Sequence, residues 1–583
     1  MQNNPLRLAV LLAGAGLSLC VSLASGSRAP DRPYWDLLFL WGLSIALALA
    51  AFVDWRGLPR RLQQAGAAAL RMGPEAAFVL LIALATLALR AVHLDSIPYV
   101  LSGDEASLGL EAISVIEGQR NSPFVTGWLS HPSLYFFIQA AFLRVFGISV
   151  SALRLPSALI SSATVVFLYL FARHAYGRRV AVLAAVFFAA YHYAIHYGRL
   201  GLNNIWDPFF ALGVIYFVQR GLTGKRLGSW LAAGVLMGLA AYFYMGARLI
   251  PLLLVPYLAY RAFREQGFWQ EHASHLVVFV LTAFVVALPI LAFFARHPQD
   301  LMARWSWLGI FPSGWVEAEI QRTGKGVLSI VFDQFLKSAL AFNYFPDTTF
   351  HYHAGVPLLD FFTSILFVFG IAYAIWHWRK PEYLLLSLWY LSVVIFGGTL
   401  LENPPASARL VMAIPPVVLC VALSMDKIST YVASLVSNVR HMATAISLVL
   451  LAVACYGSLH FYFAEYAPSS QFSDLNTEVA DQMGKYLRAL GPEYRCYFFG
   501  APRMYYGHAT IPFLARGVEG LDIIEPIPED VDFVDSEHKA VFVFLPERSA
   551  ELNTVRRYYP EGQLREFRSR EDQLLFLGYE SDG

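Results

Sequence analysis

The stretch His131-Pro-Ser-Leu-Tyr-Phe-Phe-Ile-Gln-Ala-Ala-Phe-Leu-Arg-Val-Phe-Gly147 decides how this chain is threaded. It is apolar and aromatic-rich, but crossing a hydrocarbon core of about 30 Å takes a helix of about 20 apolar residues. It therefore reads as a juxtamembrane or partly inserted helix. On that reading Asp104-Glu105, ahead of it, share one face of the membrane with the run from Arg199 to Asp207-Pro208 beyond it. One extra crossing would put Asp207 on the opposite side.

Working outward, apolar runs at 6–24, 36–53 and 76–94 come first. The first could be a signal peptide cleaved near Ala24-Ser-Gly26, but a retained span fits better because further spans follow at once. The linker 54–75 carries Arg56, Arg60, Arg61 and Arg71 and reads as cytoplasmic. The run 76–94 then delivers Asp104 to the outer face. A short helix at 106–118 suits the interface. The span 153–172 ends at Arg173, Arg178 and Arg179, and 180–197 climbs back out. Further spans are expected near 208–218, 230–245, 249–262, 276–295, 358–378, 383–400, 410–425 and 442–463. Their inner loops hold Arg220, Lys225 and Arg226; Arg261 and Arg264; Arg379 and Lys380; and Lys427 with Arg440. About thirteen spans with an internal N-terminus satisfy the positive-inside rule throughout.

Composition agrees. Of 583 residues, 57% are hydrophobic and only 15% charged, which excludes an ordinary soluble enzyme. A net charge of +1 gives no case for nucleic acid. Cys20, Cys420 and Cys455 lie in apolar runs and Cys496 stands alone, so no disulfide framework or paired-cysteine metal site can be built. The expected class is mainly α: a polytopic helical membrane protein with interfacial helices and a small C-terminal α/β domain. Its parts are a hairpin and basic linker (1–75), a membrane domain (76–463, with a first outer loop 96–152 and a long outer loop 296–355) and a tail (464–583). In the tail, 476–490 and 551–559 read as helices and 495–500, 540–545 and 574–579 as strands.

Charged groups at a membrane are costly unless they face water, a partner or a substrate. Asp104, Glu105 and Asp207 are therefore candidate catalytic carboxylates, suited to drawing a proton from a hydroxyl or amine nucleophile. Each also has an ordinary alternative, as a helix cap or first-turn acid. Arg199, Arg248 and Arg409 sit on the outer side and can grip a phosphate bidentately; snorkelling is their plain alternative. His131 is a candidate phosphate or substrate contact, and Asn203 and Asn204 are weaker ones, with capping the commoner role. His351 and His353 could ligate a metal with Asp347 but lack a third firm ligand, and Trp305, Trp307 and Trp315 could stack on a sugar, though marking the membrane interface is the commoner role. A divalent cation at Asp104, Glu105 and Asp207 is chemically possible but not required. The tail offers no nucleotide fingerprint or catalytic triad pattern.

Gly103-Asp104-Glu105, His131-Pro132-Ser133-Leu134, Leu153-Arg154-Leu-Pro156, Arg199 through Asp207-Pro208 and Arg409 through Pro415-Pro416 resemble the GT-C glycosyltransferases. Within that class they are similar to the dolichyl-phosphate-mannose protein mannosyltransferase and aminoarabinose–lipid A transferase group. The resemblance covers about 76–425, with His131-Pro132-Ser133 standing where the family has His-Pro-Pro. It implies transfer of one sugar from a polyprenyl-phosphate donor to an extracytoplasmic protein, lipid or cell-surface glycan, with inversion. Asp104 would be the catalytic carboxylate, Glu105 its support or a second acid, and Asp207 part of the same cavity. No cofactor is required, and the expected place is a bacterial-type inner membrane with the site and tail outside. A transporter or flippase of a lipid-linked saccharide is the rival reading, though it would place charges mid-span in paired halves, whereas here they gather at one face.

Overall fold

The computed structural model describes residues 5–29, 31–52, 73–435, 439–527, 534 and 538–581. The basic linker expected at 54–75 lies almost wholly outside them, as does the side chain of Arg440.

The N-terminal helices α1 (Pro5–Ser27) and α2 (Trp35–Ala50) form a hairpin packed on the later helix Phe268–Arg296. Ser18 Oγ donates to the Val285 carbonyl at 2.7 Å and the Trp41 indole to that of Val286 at 2.9 Å. The first apolar run is thus an integral part of the helical body. Next come α3 (Pro74–Ala91), α4 (Gly103–Ile116), α5 (Leu134–Phe146), α6 (Val150–Ala175), α7 (Arg178–Ala190), α8 (His192–Arg199) and α9 (Trp206–Gly224). They are followed by α10 (Leu227–Ala240), α11 (Leu249–Arg264), α12 (Phe268–Arg296), α13 (Pro298–Leu308), α14 (Trp315–Thr323) and α15 (Val327–Ala339). The helical body closes with α16 (Phe361–Trp376), α17 (Pro381–Val393), α18 (Ile414–Ser434) and α19 (Val439–His460).

Among the described residues seven helices are long and apolar enough to cross a membrane, and α7 with α8, bent by 55°, makes an eighth. Four further apolar helices, α2, α5, α10 and α16, are shorter. The expectation of about thirteen crossings also counted α9 and α11, which belong to neither group. Length and composition therefore make this a multi-pass membrane protein without fixing that number. The outward faces agree: α3 exposes Leu80, Leu81 and Leu84, a display tolerable against lipid and unfavourable in water. The same helix buries Arg90, whose guanidinium donates to Ser161 Oγ and to the carbonyls of Thr86, Phe188 and Ala189.

Helix α5 forms most of the aromatic-rich stretch 131–147. Its 13 residues rise about 20 Å, too little to cross. It packs along α4, and Tyr135 and Gln139 both donate to the Gly201 carbonyl, at 2.9 and 3.0 Å. The segments around Asp104 and Asn203 thereby meet at one end of the helical body.

The C-terminal part is an α/β module. Helices α20 (Leu475–Leu490), α21 (Thr510–Leu514) and α22 (Leu552–Tyr558) accompany β1 (Tyr494–Phe499), β2 (Glu519–Asp522), β3 (Lys539–Phe544), β4 (Gln563–Arg568) and β5 (Leu574–Ser581). The sheet order is β2-β1-β3-β5-β4, parallel across β2-β1-β3 and antiparallel across β3-β5-β4. The central strands are the apolar runs expected from sequence. Burying Phe498, Phe542 and Phe544 contributes about 1.5–3 kcal/mol each. Strands β2 and β4 went unread because they are polar edges, with no apolar run to announce them.

Candidate active site

Helix α4 begins with a capping box. Ser102 Oγ accepts from the Glu105 N–H, and Glu105 Oε2 accepts from the Ser102 N–H, both at 3.3 Å. Glu105 then turns inward. Its Oε1 accepts from Arg154 Nε at 2.8 Å and from the Gly201 N–H at 2.7 Å, and Oε2 from Arg154 Nη2 at 3.0 Å. Both side chains are fully buried, and Arg154 gives its other donors to the carbonyls of Leu94, Pro98 and Val100. Every oxygen of Glu105 is occupied, so it is a strut joining α4, α6 and the 199–207 segment rather than a second acid in the cavity.

Asp104 points the other way. About a third of its side chain is exposed (32%), and Oδ2 accepts from His351 Nε2 at 2.9 Å. Burial pulls its pKa upward. The hydrogen bond from His351 and the charges of His351 and Arg304 outweigh that pull and hold it below the usual carboxylate range. Asp104 is therefore an ionised, partly exposed carboxylate at the N-terminal turn of α4.

Across from it, His131 lies between two aromatic rings, Trp128 and Tyr244, each with centroid 5.8 Å away and nearly parallel. Arg304 Nη2 lies 2.8 Å from His131 Nε2, and the Asn203 amide nitrogen stands 3.0 Å from Nδ1. Burial, followed by the charges of Arg304 and Arg248, depresses the His131 pKa to about 3, and the imidazole is neutral. It positions Arg304 rather than carrying a charge itself. Tyr244, stacked on His131, lies within the fields of Arg304, Asp207, Arg409 and Asp104.

Asp207 is buried in the first turn of α9 beside the Gly246–Ala247 backbone, close to Arg248, and its Oδ1 has no hydrogen-bond partner among the described residues. A Cβ on Gly246 would come within 2.0 Å of Asp207 Oδ2, so only glycine leaves room for the carboxylate. Arg248 donates once, to the Leu301 carbonyl at 2.8 Å, and lies over the Phe294 ring. Arg409 donates to the Glu402 carbonyl at 2.7 Å and neighbours Tyr244 and Arg304. Asn204 donates to the Ala408 carbonyl at 3.1 Å. Arg199 departs from the expected phosphate clamp: its guanidinium donates to the carbonyls of Leu89, Val92, His93 and Ile97, fastening the end of α3.

Three members of this cluster were not singled out from sequence. Arg304 sits on α13 among tryptophans that drew attention to the interface instead, Tyr244 lies in an unremarkable turn, and His351 was considered only as a metal ligand. Asp347, its neighbour in that reading, instead accepts from the N–H and hydroxyl of both Thr349 and Ser407. Among the described residues no three His, Cys, Asp or Glu side chains gather as an ion site.

Residues 130–293 match the family model for dolichyl-phosphate-mannose-protein mannosyltransferase. The structure superposes on ArnT from Cupriavidus metallidurans in the apo state with TM-score 0.55 and 15% identity, over 87% of this chain and 98% of that one. Against ArnT bound to undecaprenyl phosphate the values are 0.55 and 16%, over 86% and 98%. Against the apo oligosaccharyltransferase of Archaeoglobus fulgidus they are 0.52 and 13%, over 86% and 74%. No curated protein sequence matches significantly. The chain has the GT-C fold. Its helices are arranged as in the ArnT structures, and a small C-terminal sheet domain follows them.

Proposed function

We propose that this protein is a membrane glycosyltransferase that moves one sugar from a polyprenyl phosphate to an acceptor on the outer, non-cytoplasmic face. The observation that carries the reading is the partly exposed, ionised carboxylate of Asp104, held by His351 and within the field of Arg304, with Arg409 close to Arg304 and Arg248 close to His131. Asp104 takes the proton of the acceptor nucleophile as that atom forms its bond to the anomeric carbon. The bond from that carbon to the phosphate oxygen breaks, and the electron pair leaves with the polyprenyl phosphate. A single displacement of this kind inverts the anomeric centre through an oxocarbenium-like state. Arginines preorganised at the phosphate stabilise the charge that develops on it. The match to an ArnT solved with undecaprenyl phosphate supports the donor class.

The test is transfer from labelled polyprenyl-phosphate monosaccharides in membranes containing wild type, Asp104→Asn or Asp207→Asn. Asp104→Asn is expected to lose at least about 100-fold in transfer while still binding donor, the scale of removing a general base. Full activity in that variant would sink the mechanism.

A further inference from the structure

A cavity separate from the Asp104 cleft lies between α4 and the N-terminal hairpin. It has a volume of about 770 Å³, within the range of small-molecule sites, and lies beside that cleft. One wall is helix α4, through Ser107, Glu111 and Ser114. With Asp104 these occupy positions i, i+3, i+7 and i+10, one stripe of the helix, so Glu111 sits about 10 Å along the axis from Asp104. The opposite wall is the end of the N-terminal hairpin, through Ser25, Gly26 and Tyr34, with Arg296 from the end of α12. Since α1, α2 and α12 all present their ends here, the cavity lies level with the edge of the membrane-spanning helices.

The lining has a definite chemistry. Glu111 is fixed in place by the Trp128 N–H on Oε1 at 2.7 Å and by Arg120 on Oε2 at 2.5 Å. Ser107 and Ser114 turn their hydroxyl protons back onto the Gly103 and Glu111 carbonyls, leaving oxygen lone pairs to accept. Gln119 and Asn121 bring amides, and Trp128 an aromatic surface. Fixed planar polar groups beside an aromatic ring suit a ligand that presents many hydroxyls on an otherwise C–H surface. Trp128 also stacks on His131, so a molecule here adjoins the site itself.

We propose that this cavity is the acceptor subsite and that the acceptor's recognised part is a saccharide, laid along α4 with its nucleophilic hydroxyl toward Asp104. The inference rests on the glycosyl-transfer reading and adds to it the acceptor's chemical class and place. A saccharide carried on a lipid and one carried on a water-soluble polymer share this chemistry.

The test uses the full chain in liposomes with labelled polyprenyl-phosphate sugar and a graded amount of native membrane extract as acceptor source. Two products are followed: label transferred to acceptor, and free sugar released by donor hydrolysis. Ser114→Trp, which fills the cavity, should raise the extract needed for half-maximal transfer roughly tenfold, a loss of about 1.4 kcal/mol in acceptor binding, with hydrolysis unchanged. Ser107→Leu should shift it in the same direction. Label in the lipid-extractable fraction assigns a lipid-borne saccharide, and label in soluble glycan assigns a polymer. Label on protein overturns the saccharide assignment. Unchanged half-saturation in both variants, or parallel loss of hydrolysis and transfer, overturns the subsite while leaving the transfer reading intact. A wild-type protein that neither transfers nor hydrolyses removes the transfer reading, and the subsite with it.

Discussion

His351 Nε2 donates to Asp104 Oδ2 at 2.9 Å, joining two positions 247 residues apart in the chain. The partner of the candidate base is therefore a histidine at the far end of the long 296–355 loop, and not the adjacent Glu105. The bond fixes the rotamer of Asp104 and, with Arg304, keeps its carboxyl ionised against the pull of burial. A base works only when deprotonated, so its contribution is present above this lowered pKa and is lost as pH falls through it. In His351→Ala burial remains while the hydrogen bond and the His351 charge are gone, so the Asp104 pKa rises. The acidic limb of the transfer rate should move to higher pH. A pH–rate profile identical to wild type would show that His351 does not tune Asp104.

The Glu105–Arg154 pair predicts a stability effect instead of a catalytic one. Removing one member leaves the other charged and fully buried, at a cost of about 3 kcal/mol or more. Glu105→Ala should unfold at markedly lower temperature in detergent, and the double variant Glu105→Ala/Arg154→Ala should lose less than the sum of the single changes. Strict additivity would mean the two residues do not act as a pair.

Gly246→Ala should be damaging only while Asp207 is present. The new methyl would sit on Asp207 Oδ2, so that buried carboxylate would have to shift from its place. Combining the change with Asp207→Ala relieves the clash, so the double variant should express and melt like Asp207→Ala alone. A double variant worse than either single change would locate the harm elsewhere.

The C-terminal module grips the helix that carries Asp104. Asp481 Oδ1 accepts from the Leu101 N–H at 3.0 Å, Thr510 Oγ1 donates to the Leu101 carbonyl at 3.1 Å, and Arg516 pairs with Glu117 at 2.7 Å. Asp481→Ala leaves a buried N–H unmet, a cost of about 1–3 kcal/mol. Loosening the start of α4 should lower the maximal transfer rate with little change in the half-saturating donor concentration, which steady-state kinetics in liposomes would measure.

Arg304→Ala should reduce transfer by about 100-fold if its guanidinium meets the leaving phosphate, since one preorganised donor at a developing charge is worth that much. Arg304→Lys keeps the charge but loses the fork that reaches His131. It should recover part of the rate, and equal activity in both variants would remove Arg304 from the phosphate.

By itself the sequence determined the class and the neighbourhood. Long apolar helices, short basic loops and the Ser102-x-x-Glu105 cap are local patterns, readable because the bilayer and the helix terminus impose fixed lengths and fixed hydrogen-bonding needs. It also marked Asp104, His131, Asn203, Asp207, Arg248 and Arg409, because charged and polar groups stand out against an apolar background. Only the tertiary structure divided those residues by role. Glu105 and Arg199 look in sequence as reactive as Asp104 and Arg248, yet the first is held by Arg154 and the second by four carbonyls at the end of α3. Conversely Arg304 and Tyr244 carry no local signal, His351 reads locally only as a candidate metal ligand, and all three became part of the site through contacts with distant residues. Whether a buried charge is a strut or a reactant depends on which distant backbone and side-chain groups satisfy it, and those partners are fixed by packing rather than by neighbours in the chain.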